Sequence, residues 1–130
     1  MTERPTDQAK RHDWLIEETI KLHYKGKIDA EIAKNPNGEH NKNVGEFYPD
    51  IIIYRGNEIL IIEEIETEDS VNENEFKTQW EPYSKLGAKK FILTVPKEKI
   101  HDAIILTKNL SCELWYYEIK DEKLIFNKYR

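Results

Sequence analysis

At 130 residues, with 38% hydrophobic and 35% charged side chains, the chain is long enough for one buried core, and a single domain over 1–130 is expected. Its formal net charge of -5 excludes a protein that coats nucleic acid through bulk positive charge, while leaving local contacts open. The one cysteine, Cys112, excludes an intramolecular disulfide and a cysteine-based zinc site, and beside an aromatic strand it reads as a small buried hydrophobe.

Residues 1–8 read as a frayed terminus. Helical periodicity runs from about Gln8 to Lys25, with Leu15, Ile16, Thr19, Ile20, Leu22 and His23 on one face and Gly26 as C-cap. Lys27 to Ala33 alternates apolar and charged residues, as a half-buried strand does. Asn35-Pro36-Asn37-Gly38 opens a polar loop, expected to be mobile, that runs to Gly45. Strands at about 46–54 and 58–66 then form a hairpin around Arg55-Gly56-Asn57-Glu58.

Ser70 with Glu73 predicts a capping box that starts a helix through about Leu86, and Gly87 stops it. Phe91 to Val95 is a short continuous apolar strand of the kind covered on both faces, ended by Pro96. Lys97 to Lys108 reads as an amphipathic helix. Two strands, Glu113 to Ile119 and Lys123 to Phe126, follow around a turn at Lys120-Asp121-Glu122. The fourth strand lies beyond a helical crossover, which predicts parallel pairing in a sheet otherwise antiparallel. The fold class is therefore α/β, a mixed central sheet with helices on both faces. No apolar run approaches the ~18 residues of a membrane span. The opening Met1-Thr2-Glu3-Arg4-Pro5 also has no signal-peptide core, so a cytoplasmic protein without a membrane partner is expected.

Chemistry concentrates in the middle of the chain. Asp50 opens the apolar run Ile51 to Tyr54, and the next run ends in Glu63-Glu64-Ile65-Glu66. Strand side chains alternate, so Glu64 and Glu66 project the same way with Cα atoms about 7 Å apart, and hairpin pairing can bring Asp50 beside them. Converging carboxylates suit a hard, oxygen-seeking cation such as Mg²⁺. A cation also relieves the like charge of Glu63, Glu64, Glu66, Glu68 and Asp69, although acidic strand ends facing water need none.

In this arrangement the sequence resembles the PD-(D/E)XK nuclease superfamily, the restriction-endonuclease-like fold. Pro49-Asp50 matches the first half of its signature. Glu64-Ile65-Glu66 matches the second, with glutamate where lysine is usual, a variant that some active restriction enzymes carry. Gln79-Trp80-Glu81-Pro82-Tyr83 has the Gln-x-x-x-Tyr spacing of the helix after the catalytic strand in the exonuclease-like branch. The resemblance covers residues 8–95, a core of helix, three strands, helix and strand, and leaves 97–130 as decoration.

The resemblance implies that Asp50 and Glu64 bind Mg²⁺ or Mn²⁺ with help from the Ile65 carbonyl, and that the ion activates water for attack on a phosphodiester. It implies that Glu66 takes a proton from that water or holds a second ion, and that Gln79 bonds the water or the phosphate. Glu18 on the first helix is a further candidate ligand, with an outward-facing role as its alternative. Without the lysine, positive charge must come from elsewhere, and Lys42, Lys77 and Lys85 are the candidates by position. His40 is a solvated loop histidine or a phosphate contact, and His12, His23 and His101 have no metal-ligand spacing. Trp80 and Tyr83 read as core rather than as base-stacking platforms. The functions in play are a metal-dependent nuclease acting on DNA as a homodimer, a catalytically silent relative that binds nucleic acid or a protein partner, and an acidic protein imitating DNA charge.

Overall fold

The structure, a computed structural model, describes residues 6–130. Of the frayed terminus expected over 1–8, residues 1–5 lie outside the described residues, and helix α1 (Thr6–Thr19) already includes the rest. α1 continues into a π-wound turn, Ile20–Tyr24. The wider winding shifts the phase of the apolar stripe. Leu22, expected on the buried face, is consequently 37% exposed.

Six strands form one sheet in the order β1-β2-β3-β4-β5-β6: β1 (Glu31–Lys34), β2 (Ile51–Arg55), β3 (Glu58–Ile65), β4 (Lys90–Pro96), β5 (Glu113–Lys120) and β6 (Lys123–Lys128). Two junctions are parallel, β3 with β4 and β4 with β5, and the rest are antiparallel. The sheet is thus less antiparallel than expected, because the crossover through α4 (Ile100–Leu106) imposes the same constraint as the one before β4. A helical stretch between β3 and β4 comprises α2 (Glu73–Glu75), a π-wound turn (Phe76–Trp80) and α3 (Glu81–Ser84).

Helices cover both faces, as the continuous apolar runs require. On one face Ile52, Ile62 and Leu93 pack with Trp80, Tyr83 and Ala103. On the other Ile51, Ile53 and Ile65 pack with Leu15, Ile16 and Tyr24. Among the described residues no helix is long and apolar enough to cross a membrane.

Several boundaries differ from the sequence reading. β1 is shorter than 27–33, because β2 offers it partners only from Glu31↔Tyr54 to Lys34↔Ile51. β2 begins at Ile51 rather than near 46, where the chain makes only an isolated bridge, Val44↔Phe47. The capping box forms between Thr67 and Ser70, and Asn72 caps α2 by accepting from the Glu75 N–H. Ser70 is therefore the end of one short turn and not the start of the helix.

The loop from Asn35 to Pro49 has a definite organiser in the buried Asn35. Its Nδ2 donates to the carbonyls of Lys42 and Pro49, each at 2.7 Å, and its Oδ1 accepts from the N–H groups of Asn41 (2.8 Å) and Lys42 (3.0 Å). One amide thus uses its full hydrogen-bonding capacity on this loop. The Asn37 N–H bonds Asp13 Oδ1 at 2.8 Å, which ties the loop to α1.

Candidate functional site

The β2–β3 register pairs Ile51 with Glu63, so Asp50 and Glu64 come next, where the strands end. Alternation sends Ile62, Glu64 and Glu66 toward the 73–84 helix and Ile61, Glu63 and Ile65 toward α1. Asp50 and Glu64 interlock through main-chain donors. The Asp50 N–H donates to Glu64 Oε1 at 2.7 Å, and the Ile65 N–H donates to Asp50 Oδ2 at 2.9 Å. Both acids are nearly buried, 8% and 4% exposed.

The helix above supplies the next layer. Oriented with its amide nitrogen toward the acids, Gln79 can donate to Glu64 Oε2 and Glu75 Oε2, each at 3.1 Å. Its neighbour Trp80 donates from Nε1 to Glu66 Oε2 at 2.8 Å. Both belong to the π-wound turn, a feature that concentrates at functional sites. Asp50, Glu64 and Gln79 therefore come together, whereas Glu66 is fully buried under Trp80.

From α1 comes a residue to which sequence reasoning gave no role. His12 Nε2 lies 3.1 Å from Asp50 Oδ2 and 3.0 Å from the Ile65 carbonyl oxygen. A carbonyl only accepts, so this pairing places the proton on Nε2. His12 is buried and shares a helix face with Leu15, Ile16 and Thr19, at spacings of three, four and seven. That spacing was the available signal. Glu18 stands instead at an ion pair with Lys21 (3.3 Å) and is not among the residues lining the cleft at Asp50. Six positions beyond His12, it points about 120° away around the helix.

Burial and crowding raise the proton affinity of these carboxyls. Glu64 is held well above the ordinary range, first by burial and then by the charges of Asp50 and Glu66. Glu66 is pushed up to about 7 by burial, with Glu75 and Asp50 adding to it, while bonds from Ser70 and Trp80 oppose the rise. On the opposite face Glu63 also reaches about 7 through burial, although Tyr24 Oη (2.5 Å) and Thr94 Oγ1 (2.7 Å) donate to it.

Asp50 and Glu64 open onto a cleft of about 740 Å³, walled by the Asn35–Tyr48 loop on one side and by Glu75, Gln79 and Tyr83 on the other. Glu39, Glu46 and Asp69 bring its carboxylates to six, and no lysine or arginine is among the described residues lining it. The candidate cations lie elsewhere: Lys42 sits over the Tyr54 ring (4.0 Å), Lys77 pairs with Glu73 (3.1 Å), and Lys85 is exposed. His40 does reach the cleft, stacked on Tyr48 with ring centroids 4.2 Å apart.

Among the described residues no three His, Cys, Asp or Glu side chains converge tightly enough to hold a metal ion on side chains alone. The donors that do converge are Asp50 Oδ2, His12 Nε2 and a main-chain carbonyl, with Glu64 alongside. In kind they fit a divalent ion that favours oxygen and accepts imidazole, provided Nε2 gives up its proton. Comparison with known proteins finds no family model, no curated protein and no solved structure that matches this chain.

Proposed function

We propose that the protein is a divalent-metal-dependent nuclease that hydrolyses DNA phosphodiester bonds, built on a restriction-endonuclease-like core with α4 and the C-terminal hairpin added. One observation carries this reading: Asp50, Glu64, His12 and the Ile65 carbonyl meet at a single strand end, and Asp50 and Glu64 there line an acidic cleft. Asp50, Glu64 and the Ile65 carbonyl would hold Mg²⁺ or Mn²⁺, with His12 Nε2 as a further donor. Such an ion supplies a Lewis acid for the phosphate and for the attacking water.

The chain's own residues prepare that site. Gln79 and the Asp50 N–H grip the two Glu64 oxygens and so fix the carboxylate plane. Glu66 acts as a positioning residue: it does not line the cleft, and its charge adds to the rise in Glu64 proton affinity that burial and Asp50 cause first. Tyr83, edge-on to Phe47 at 5.2 Å, forms part of the cleft wall. A nuclease-like domain of this size offers little surface to grip a duplex, which favours action as a homodimer.

The lack of lysine or arginine among the described cleft-lining residues favours a second reading, a catalytically silent nuclease-like domain that binds nucleic acid or a protein partner. Incubation with supercoiled plasmid and Mg²⁺ or Mn²⁺ separates the two. Nicking or degradation that Asp50→Ala abolishes supports the nuclease. Salt-sensitive DNA retention without cleavage supports the silent relative.

A further inference from the structure

Tyr83 lines two cavities of opposite charge. One is the acidic cleft, and the other is a pocket of about 310 Å³, lined among others by Ser84, Lys89, Lys90, Cys112 and Arg130. Glu113 is the one carboxylate side chain among its described lining residues. Lys90 (3.2 Å) and Lys128 (3.6 Å) share that carboxylate, so it cannot neutralise both.

Lys89 pairs at 3.1 Å with Glu58, and both side chains are largely exposed. Exposed pairs of this kind are weak and screened by salt, so Glu58 does not tie up the lysine. Arg130 is anchored through Nη2 to the Thr107 carbonyl (3.1 Å) and hydroxyl (3.0 Å). A guanidinium has five N–H donors in a fork suited to phosphate oxygens, so this anchoring leaves it donor capacity.

We propose that this pocket is a phosphate subsite, taking a backbone phosphodiester of the same nucleic-acid strand whose scissile group enters the acidic cleft. The proposal rests on the nucleic-acid reading above and accounts for what the cleft lacks. A strand that occupies both cavities meets its cations in the second one, where they do not compete with the ion expected at Asp50 and Glu64. Ser84 and Ser111, which also line the pocket, add neutral hydroxyl donors of the kind that position phosphates.

The test uses the full chain with Ca²⁺ in place of Mg²⁺, so that binding is read without turnover, and a labelled oligonucleotide, single-stranded and duplex, over a salt series. The variants are Lys89→Ala/Arg130→Gln and, with the same charge change at the tip of the C-terminal hairpin, Lys120→Gln/Lys123→Ala. The pocket variant is expected to weaken binding about tenfold and to reduce the slope of log affinity against log salt by about one. Its Mn²⁺ binding by calorimetry should match the wild type, its melting should remain one cooperative transition although the Arg130–Thr107 bonds are lost, and the control variant should bind the oligonucleotide like the wild type.

An equal loss in both variants means diffuse charge and overturns the subsite. So does unchanged oligonucleotide affinity in the pocket variant, even where inorganic phosphate titrated alone perturbs the pocket, since that identifies a free-phosphate site. Those outcomes leave the nuclease reading standing if the wild type cleaves plasmid. A wild type that neither binds nor cleaves any nucleic acid overturns both.

Discussion

Trp80 Nε1–H donates to Glu66 Oε2 at 2.8 Å at a point where both residues are fully removed from solvent. The bond stabilises the ionised carboxylate, opposing the burial that raises its pKa. Trp80→Phe keeps an aromatic ring there and deletes the donor. Glu66 should then bind its proton more tightly still, and the cost should be larger at pH 8 than at pH 5. A loss of about 1–3 kcal/mol at pH 8 is expected from urea denaturation. An equal loss at both pH values would mean that packing, not the bond, was removed.

The raised carboxyls define how stability depends on pH. Glu63 and Glu66 have folded-state pKa values of about 7 against an ordinary 4.5, and Glu64 shifts in the same direction. Above 4.5 the unfolded chain releases these protons while the folded chain keeps them. The stabilisation is therefore complete below pH 4.5 and is lost as pH rises through about 7. Melting temperature should fall from pH 5 to pH 8. Glu63→Gln should fold and flatten that fall, removing roughly 3 kcal/mol of the difference.

The same logic separates function from stability at Asp50. Its charge raises the proton affinity of Glu63, Glu64 and Glu66 alike. Asp50→Asn removes the repulsion and keeps the side chain's shape. It should make the metal-free protein as stable as the wild type or more so at pH 8, while abolishing Mn²⁺ binding and plasmid cleavage. In the wild type, Mn²⁺ should raise the melting temperature more at pH 8 than at pH 5.5, because the ion needs carboxylates that have lost their protons. A protein whose melting temperature ignores Mn²⁺ at both pH values would argue against a metal site here.

What sequence could reveal follows from what each feature depends on. The shared direction of Glu64 and Glu66 is a property of any strand, and the meeting of Asp50 with Glu64 needs only the hairpin around Gly56-Asn57. Both were legible. The different fates of the two glutamates were not, since they depend on where Trp80 and Gln79 fall in a π-wound turn that periodicity at 3.6 does not anticipate. His12 was missed for another reason: its partners are 38 and 53 residues away, so only the packing of α1 against the sheet reveals them. The helix start was misplaced because Ser70-x-x-Glu73 and Asn72-x-x-Glu75 are equally good caps in sequence, and Thr67 claims Ser70 first.

Asn35 makes the loop beside the cleft a defined wall. Asn35→Ala removes four hydrogen bonds, and at about 1 kcal/mol each the loss should fall on residues 36–49 more than on the sheet. Hydrogen exchange should accelerate in that loop while β3 and β4 remain protected. If protection falls everywhere together, the loop is part of the global folding unit.

His12 offers the sharpest distinction between a pin and a ligand. As a pin, it holds Asp50 Oδ2 and the Ile65 carbonyl with one N–H, and His12→Ala should cost about 2–4 kcal/mol through the cavity and the lost bonds. As a ligand, it should also lower Mn²⁺ affinity in protein that remains folded. His12→Gln makes the separation, since its amide can donate to one of the two oxygens in place of the ring. Loss of a residue that only orients Asp50 can itself lower Mn²⁺ affinity about tenfold, so the deciding readout is spectroscopic: a nitrogen coupling to bound Mn²⁺ in the wild type that vanishes in folded His12→Gln identifies a ligand. No nitrogen coupling in the wild type identifies a residue that only orients Asp50.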